Sequence, residues 1–459
     1  LRKALWGRPL LLVGLAELVA LGLIVGLKVL DGLDFEVYRL GSLTWLQGGD
    51  PYGVLPATSR GTFLPFTYPP FAVLGFVPTT LLPARAGFLV LTVISALLLF
   101  AVVYGFLVAL RGREKGLVLP GFVAVGVQLL AAGGDPVRST LGYGQINMVL
   151  MALVVFDCLG PTRRWRGVLV GLAAAIKLTP AVFILFFLVR KDFRAALQAG
   201  VTFVAATALA FAVLPGESVT YWTKLLFNGE RIGAPDHVAN QSLRGAFARL
   251  SVDFYWILPA LLVIALTVYV IRRSNMPMGL AITALCGLLV SPVSWVHHWV
   301  WLVPVLVVLG WTAVFERRVF MGLSVVLAAA VAISTPIWIF EFGGWDAGVW
   351  QQAVSDSYVL AGIVLLLVAV VYVRGNSTRR SSPPDGLAAT PIDPPCALTT
   401  DATIDNPSPE PPDVAVRSSR RKGSNKPGSS STGITGPLLI TRSAGEPPTS
   451  TVTDPPGSL

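Results

Sequence analysis

About eleven stretches of this chain, each roughly 15 to 25 residues long, are made almost wholly of apolar side chains. They lie at about 9–30, 86–110, 117–132, 145–159, 167–189, 195–214, 256–272, 279–293, 296–315, 319–339 and 358–373. A stretch of that length crosses the hydrocarbon of a bilayer as a helix, the form that satisfies its own backbone polar groups without water. A soluble domain is about 25% charged, whereas this chain is 13% charged and 54% hydrophobic over 459 residues. The expectation is an all-α polytopic membrane protein with about 11–12 transmembrane segments, some of them broken. The first run follows Leu1-Arg2-Lys3 and Arg8 without a small-residue cleavage site, and reads as a retained first helix.

The net charge of +10 raises nucleic acid as a partner. The lysines and arginines, however, stand in short clusters between apolar runs and in the C-terminal segment. That is the signature of a positive-inside topology, so no nucleic-acid partner is expected. Cys158, Cys286 and Cys396 are scattered and form neither a disulfide framework nor a zinc pattern.

The clusters "RGREK" (111–115), "RRWR" (163–166), "RKDFR" (190–194), "RR" (272–273), "ERR" (316–318) and "RGNSTRR" (374–380) all want the cytoplasm. Alternating crossings satisfy them except at one point. "RRWR" and "RKDFR" are joined by a single apolar run, "GVLVGLAAAIKLTPAVFILFFLV", with Lys177 three residues before Pro180 at its middle. Proline removes a backbone donor, and a lysine is costly in lipid. Two half-helices that turn back at Lys177–Pro180 restore the count. The alternative is one proline-kinked helix with a snorkelling lysine. With the turned-back form, loops 31–85 and 215–255 lie outside, on the same side as the link 133–144 and the mouth around 293–298. A membrane domain is expected over residues 1–374. From about Gly375 to the end, Pro, Ser, Thr, Gly and Asp dominate, as in a disordered cytoplasmic tail (375–459).

The outer segments carry the chemistry-bearing residues. "DFEVYRLG" (34–41) follows directly on the first membrane helix. If it starts a short helix along the membrane, Asp34 points into the protein with Tyr38 on the same face. A carboxylate facing a cavity is a candidate general base; the other reading is a solvated helix start favoured by the dipole. "LPFTYPPFAVLGFVP" (64–78) cannot be helical through Pro69-Pro70. Its Tyr68 and Phe66 either stack on a sugar or anchor the loop. "DPVRSTLGYGQINMVL" (135–150) brings Arg138, Tyr143, Gln145 and Asn147 to a membrane mouth, where two amides need partners. "HVANQSLRGAFARL" (237–250) adds His237, Asn240 and Arg244, suited to hydroxyls and phosphate or simply to a loop.

"SPVSWVHHWVWLVP" (291–304) sets two adjacent histidines in an apolar setting. On a helix they diverge by about 100°, so both cannot face one partner. At the first turn of a helix, free N–H groups and the positive dipole end favour an anion. An i,i+1 pair with no third ligand nearby is poor zinc spacing. One anion contact and one structural contact are expected of His297 and His298.

Taken in order, "DFEVYRLG", "LPFTYPPFAVL", "GYGQINMVLMAL", "GVLVGLAAAIKLTPAVF", "NQSLRGAFARL" and "SPVSWVHHWVWLVP" resemble glycosyltransferase family 87, actinobacterial membrane enzymes that use a polyprenyl-phosphate sugar donor. The resemblance spans roughly residues 10 to 373. It implies a GT-C fold with the active site at the periplasmic face of the plasma membrane. It further implies Asp34 as catalytic base, with His297 and above all His298 recognising the donor phosphate, helped by Arg244 or Lys177. Tyr68, Gln145, Asn147 and Asn240 are then expected to touch sugar or head group. The implied reaction is inverting transfer of mannose onto a lipid-linked mannoside in an α-1,2 linkage, in cell-envelope glycolipid synthesis. The implied partners are a polyprenyl-phosphate-sugar donor, a membrane glycolipid acceptor and the bilayer itself. The leaving group is a phosphate monoester and no carboxylate cluster is present, so neither metal nor other cofactor is expected. Arabinofuranosyl transfer from decaprenyl-phosphate arabinose is the alternative within the family. A lipid-linked sugar flippase is the alternative outside it.

Overall fold

The computed structural model describes residues 2–26, 31–112, 116–340 and 348–381. Helix α1 (Arg2–Val25) is followed by a short interfacial helix α2 (Leu33–Leu46) and by α3 (Pro70–Gly75), which starts directly after the Pro69 turn. The membrane bundle continues through α4 (Ala84–Arg111), α5 (Val118–Ala132), α6 (Asp135–Tyr143) and α7 (Asn147–Leu159). Next come two half-length helices, α8 (Val168–Ile176) and α9 (Val182–Val189), then α10 (Phe193–Val213). The second outer segment holds α11 (Pro215–Thr220) and α12 (Leu243–Arg249). The last part comprises α13 (Ile257–Arg273), α14 (Met276–Val290), α15 (Leu302–Phe315), α16 (Val319–Ser334), α17 (Val349–Ser355) and α18 (Ser357–Ser381).

Every regular element among the described residues is helical, as the unbroken apolar runs require in a solvent without hydrogen-bonding partners. Five helices are long and apolar enough to cross a membrane singly: Ala84–Arg111, Phe193–Val213, Asp253–Arg273, Val296–Phe315 and Ser357–Asn376. Five other apolar helices are shorter, among them Asn147–Leu159 and Met276–Val290. The protein is therefore polytopic, and several of the apolar runs form helices shorter than the five longest. The expected link 133–144 is itself mostly helix. Helices α5 and α6 meet at a 79° bend, so the chain turns from the membrane into a near-perpendicular arm. Helix α18 runs past Arg374, the expected end of the membrane domain, to Ser381, and residues 382–459 of the expected tail lie outside the described residues.

The doubtful run resolves into two half-helices. Helix α8 ends at Lys177, whose backbone is extended, and a 3₁₀ turn at Thr179–Ala181 opens α9. The two ends of this pair remote from the break lie together. Arg166 pairs with Asp192 at 3.5 Å, and Gln198 donates to the Arg164 carbonyl at 2.9 Å. Helix α8 packs along α10 from that end. "RRWR" and "RKDFR" thus share one side, as the positive-inside count demands. Asp157, at the far end of α7, closes the same end by accepting from the backbone N–H groups of Gly167 and Val170 at 2.9 Å.

Candidate active site

Two glycines seat α2. Gly32 caps its start at φ 71°, a left-handed backbone that glycine adopts without strain, and donates to the Gly142 carbonyl at 2.8 Å. Gly144, at φ 68°, ends α6, and a Cβ there would fall 2.7 Å from Cβ of Phe35. The first turn of α2 therefore presses directly against the Gly142–Gln145 corner. This brings Asp34 to Gln145, 111 residues away in sequence, whose Nε2 donates to Asp34 Oδ2 at 2.6 Å. Tyr38, one turn on, donates its hydroxyl to Gln145 Oε1 at 2.7 Å and lies 2.8 Å from the Tyr68 hydroxyl. Tyr68 also reaches Gln145 Oε1, at 3.3 Å. The expected shared face of Asp34 and Tyr38 is what α2 presents. Burial is the main cause that pushes the Asp34 carboxyl up to about 6; the Gln145 hydrogen bond and the Lys177 charge oppose it, and Asp31 adds to it.

The second half of the site comes from the break at Lys177. Its Nζ lies 2.9 Å from His298 Nε2, 3.3 Å from Asn147 Oδ1 and 5.4 Å from the centre of the Tyr68 ring. An ammonium only donates, so His298 presents its Nε2 lone pair and carries its proton on Nδ1. The positive charge here belongs to the lysine, and the imidazole orients it. A cleft opens beside this group, lined by the polar Asn147, Lys177, Ser294 and His298 and by the apolar Leu150, Phe183, Leu288 and Trp301. Polar and apolar walls together suit an amphipathic ligand.

The histidines occupy a 3₁₀ turn, Val296–Trp301, that leads straight into α15. Successive residues of such a turn diverge by about 120°. His298 accordingly faces the cleft with Trp301. His297 turns to α6 with its ring 5.9 Å from that of Tyr143, and its carbonyl accepts from Thr140 at 2.8 Å and Asn147 at 2.9 Å. The two histidines thus diverge as expected, His298 lining the cleft and His297 bracing α6 and Asn147 through its backbone carbonyl.

Two expected site residues stand elsewhere. Asn240 is buried, with Nδ2 donating to the Pro235 carbonyl at 2.8 Å and Oδ1 accepting from Ser294 N at 2.9 Å. It ties the second outer segment to the histidine turn, and both ends of its amide are engaged by backbone. Arg244 is half-buried beside Gly229, and none of its described contacts joins it to Lys177 or His298. The arginine that α12 buries is Arg249. It forms an ion pair with Asp356 and donates to the carbonyls of His237 at 2.9 Å and Asn240 at 3.1 Å. Loop residues Ser59 and Arg60 bind Glu36 and Asp31, tying the first outer loop to the start of α2. Tyr38 and Thr140 are the site residues that the sequence left unassigned. The spacing of Tyr38 from Asp34 was a signal for the first; nothing local marked the second.

This is a multi-pass membrane enzyme in which Asp34 and Lys177 converge on the contacting pair Gln145 and Tyr68. It belongs to glycosyltransferase family 87, whose family model matches residues 66–292. It is similar to the polyprenol-phosphate-mannose-dependent alpha-(1-2)-phosphatidylinositol mannoside mannosyltransferase of Mycobacterium tuberculosis. That likeness is 36% identity, covering 78% of this chain and 89% of the relative. The protein of the same name from Mycolicibacterium smegmatis is also 36% identical, over 73% of this chain and 83% of its own. The polyprenol-phosphate-mannose-dependent alpha-(1-2)-phosphatidylinositol pentamannoside mannosyltransferase of M. smegmatis is 37% identical, over 60% of this chain and 68% of its own.

Proposed function

We propose that this protein transfers mannose from a polyprenyl-phosphate donor to the mannose of a phosphatidylinositol mannoside, making an α-1,2 link with inversion. The observation that carries the reading is the joining of Asp34 and Lys177 through one pair of side chains. Asp34 is bonded to the Gln145 amide, Lys177 lies over the Tyr68 ring, and Tyr68 and Gln145 are themselves in contact. A base for the acceptor and a cation for the leaving group are thus held at one mouth.

A β-linked donor and an α-linked product require a single in-line displacement. Asp34 takes the proton of the acceptor hydroxyl as that oxygen bonds to the anomeric carbon. The bond from that carbon to the phosphate oxygen breaks, and the departing polyprenyl phosphate keeps the electron pair and gains a negative charge. Lys177, aimed by His298 and Asn147, meets that charge. The apolar wall of the cleft takes the first part of the polyprenyl chain, and Asn147 acts through Lys177, its Oδ1 held by the amine and its Nδ2 by the His297 carbonyl. The basic clusters support a plasma-membrane orientation in which this mouth faces the periplasm and the C-terminus faces the cytoplasm.

The test is transfer of radiolabelled mannose from polyprenyl-phosphate mannose to phosphatidylinositol mannoside in membranes containing the wild type or Asp34→Asn. Label in glycolipid with the wild type and none with the variant is the expected result. Equal labelling by both rejects Asp34 as base, and label only from decaprenyl-phosphate arabinose rejects mannose as the sugar.

A further inference from the structure

Gln145 is the amide that joins Asp34 to the tyrosine pair, and both of its ends are occupied by side chains of the site. An ionised carboxylate can only accept, so the Gln145 end facing Asp34 Oδ2 at 2.6 Å is its NH₂. The opposite end must then be oxygen, and it meets two hydroxyls, Tyr38 at 2.7 Å and Tyr68 at 3.3 Å. The Tyr38 oxygen is approached by Tyr68 at 2.8 Å and by the Ile146 N–H at 3.5 Å, which leaves its own proton for Gln145. Reversing the amide would set its oxygen against the carboxylate and its NH₂ against the Tyr38 oxygen, which already accepts from Tyr68 and from the Ile146 N–H. The network therefore has one direction. Gln145 is buried, with 5% of its surface exposed, so water does not compete for these bonds.

We infer that Gln145 is a positioning residue for the base: its tyrosine-locked amide holds Asp34 Oδ2 and turns Oδ1 toward the acceptor hydroxyl. Among the described residues no protein donor engages Oδ1. The inference rests on Asp34 acting as base, and it replaces the expected sugar contact of Gln145 with a role exerted through Asp34. The amide also sets when the base is available, because it stabilises the ionised carboxylate. The charged and titratable groups facing Asp34 are Asp31 on its own segment, Tyr38 on α2, Tyr68 from the first loop, Tyr143 from α6 and Lys177 from the α8–α9 break. The substitutions below leave Asp31, Tyr143 and Lys177 in place.

The test is the pH dependence of mannose transfer from polyprenyl-phosphate mannose for Gln145→Met and for the double variant Tyr38→Phe/Tyr68→Phe. Methionine keeps the length and removes the donor, while the tyrosine pair keeps the donor and removes what orients it. Both are expected to move the acid limb upward by about one pH unit, a loss of about fivefold at pH 6 that narrows toward pH 8, with KM for the donor unchanged. A structural gap alone lowers the rate equally at every pH. An unmoved limb in both variants overturns the inference. Should Gln145→Met not accumulate in membranes, the tyrosine variant decides by the same criterion. Asp34→Asn run alongside separates the two levels. Full activity there rejects the base itself, whereas an inactive Asp34→Asn with unmoved limbs in the other variants rejects only the role of Gln145.

Discussion

Lys177 Nζ sits 2.9 Å from Nε2 of His298, a residue 121 positions later in the chain. The contact depends on two irregularities meeting: the break that ends α8 and the 3₁₀ turn that opens α15. On the proposed mechanism, the charge that faces the departing phosphate is the ammonium, with the imidazole as its guide.

Removing that charge is expected to cost far more than removing the guide. Lys177→Gln keeps hydrogen bonds but no cation, and kcat should fall by about 100- to 1,000-fold. His298→Ala should cost about tenfold, since Asn147 still holds the amine. His297→Ala should cost least, because its bonds to Thr140 and Asn147 use the backbone carbonyl. Steady-state kinetics with polyprenyl-phosphate mannose gives the ranking, and a His297 effect larger than that of Lys177 would reverse the assignment.

The Asp34 carboxyl is held up at about 6, so wild-type kcat should fall on the acid side of that value as the base takes on a proton. A rate profile flat from pH 5 to 8 would exclude Asp34 as the titrating base.

The same group makes a stability prediction of definite sign. A carboxyl raised above its ordinary 3.8 supports the folded state fully below that value and loses this contribution as pH rises through about 6. Asp34→Asn still accepts from Gln145 and carries no buried charge. It should therefore be more stable than the wild type at pH 8, by on the order of 1–2 kcal/mol after allowing for its partial exposure. Unfolding temperatures in detergent at pH 5 and pH 8 measure the change in that difference.

The Arg249–Asp356 pair should matter for stability rather than chemistry. The Arg249 side chain is 0% exposed. Asp356→Ala leaves a buried guanidinium with only carbonyls, which costs about 3–5 kcal/mol. A drop in unfolding temperature without a change in donor KM is the expected pattern, measured on protein that still folds.

Because the leaving group is a phosphate monoester met by one ammonium, transfer should persist within about twofold after treatment with a chelator. Loss of activity that returns on adding a divalent ion would contradict this.

The sequence carried the features that arise locally. The proline and lysine in "KLTP" foretold the break, the spacing of Asp34 and Tyr38 foretold their common face, and the run after "SPVSW" foretold a helix start at the histidines. What it could not carry was which distant group each polar side chain would meet. "RGAFAR" offers two arginines, and nothing local tells that Arg249 turns inward to Asp356 while Arg244 lies beside Gly229. Asn240 looked as ready for a ligand as Asn147, yet a contact with Ser294, 54 residues on, commits it to the scaffold. The helical arm α6 escaped notice because a nine-residue segment between glycines has too few turns to show an apolar period.

Helix α7 joins the two ends of the bundle in only 13 residues, with Asn147 at the mouth and Asp157 against the turn that starts α8. At 1.5 Å per residue it rises about 20 Å, while the hydrocarbon slab is about 30 Å thick. By itself the helix falls roughly 10 Å short of that thickness. On the proposed reading, a head group that meets the largely buried Lys177 beside Asn147 leaves open water to do so, and a single ammonium is felt more strongly there than at an exposed surface.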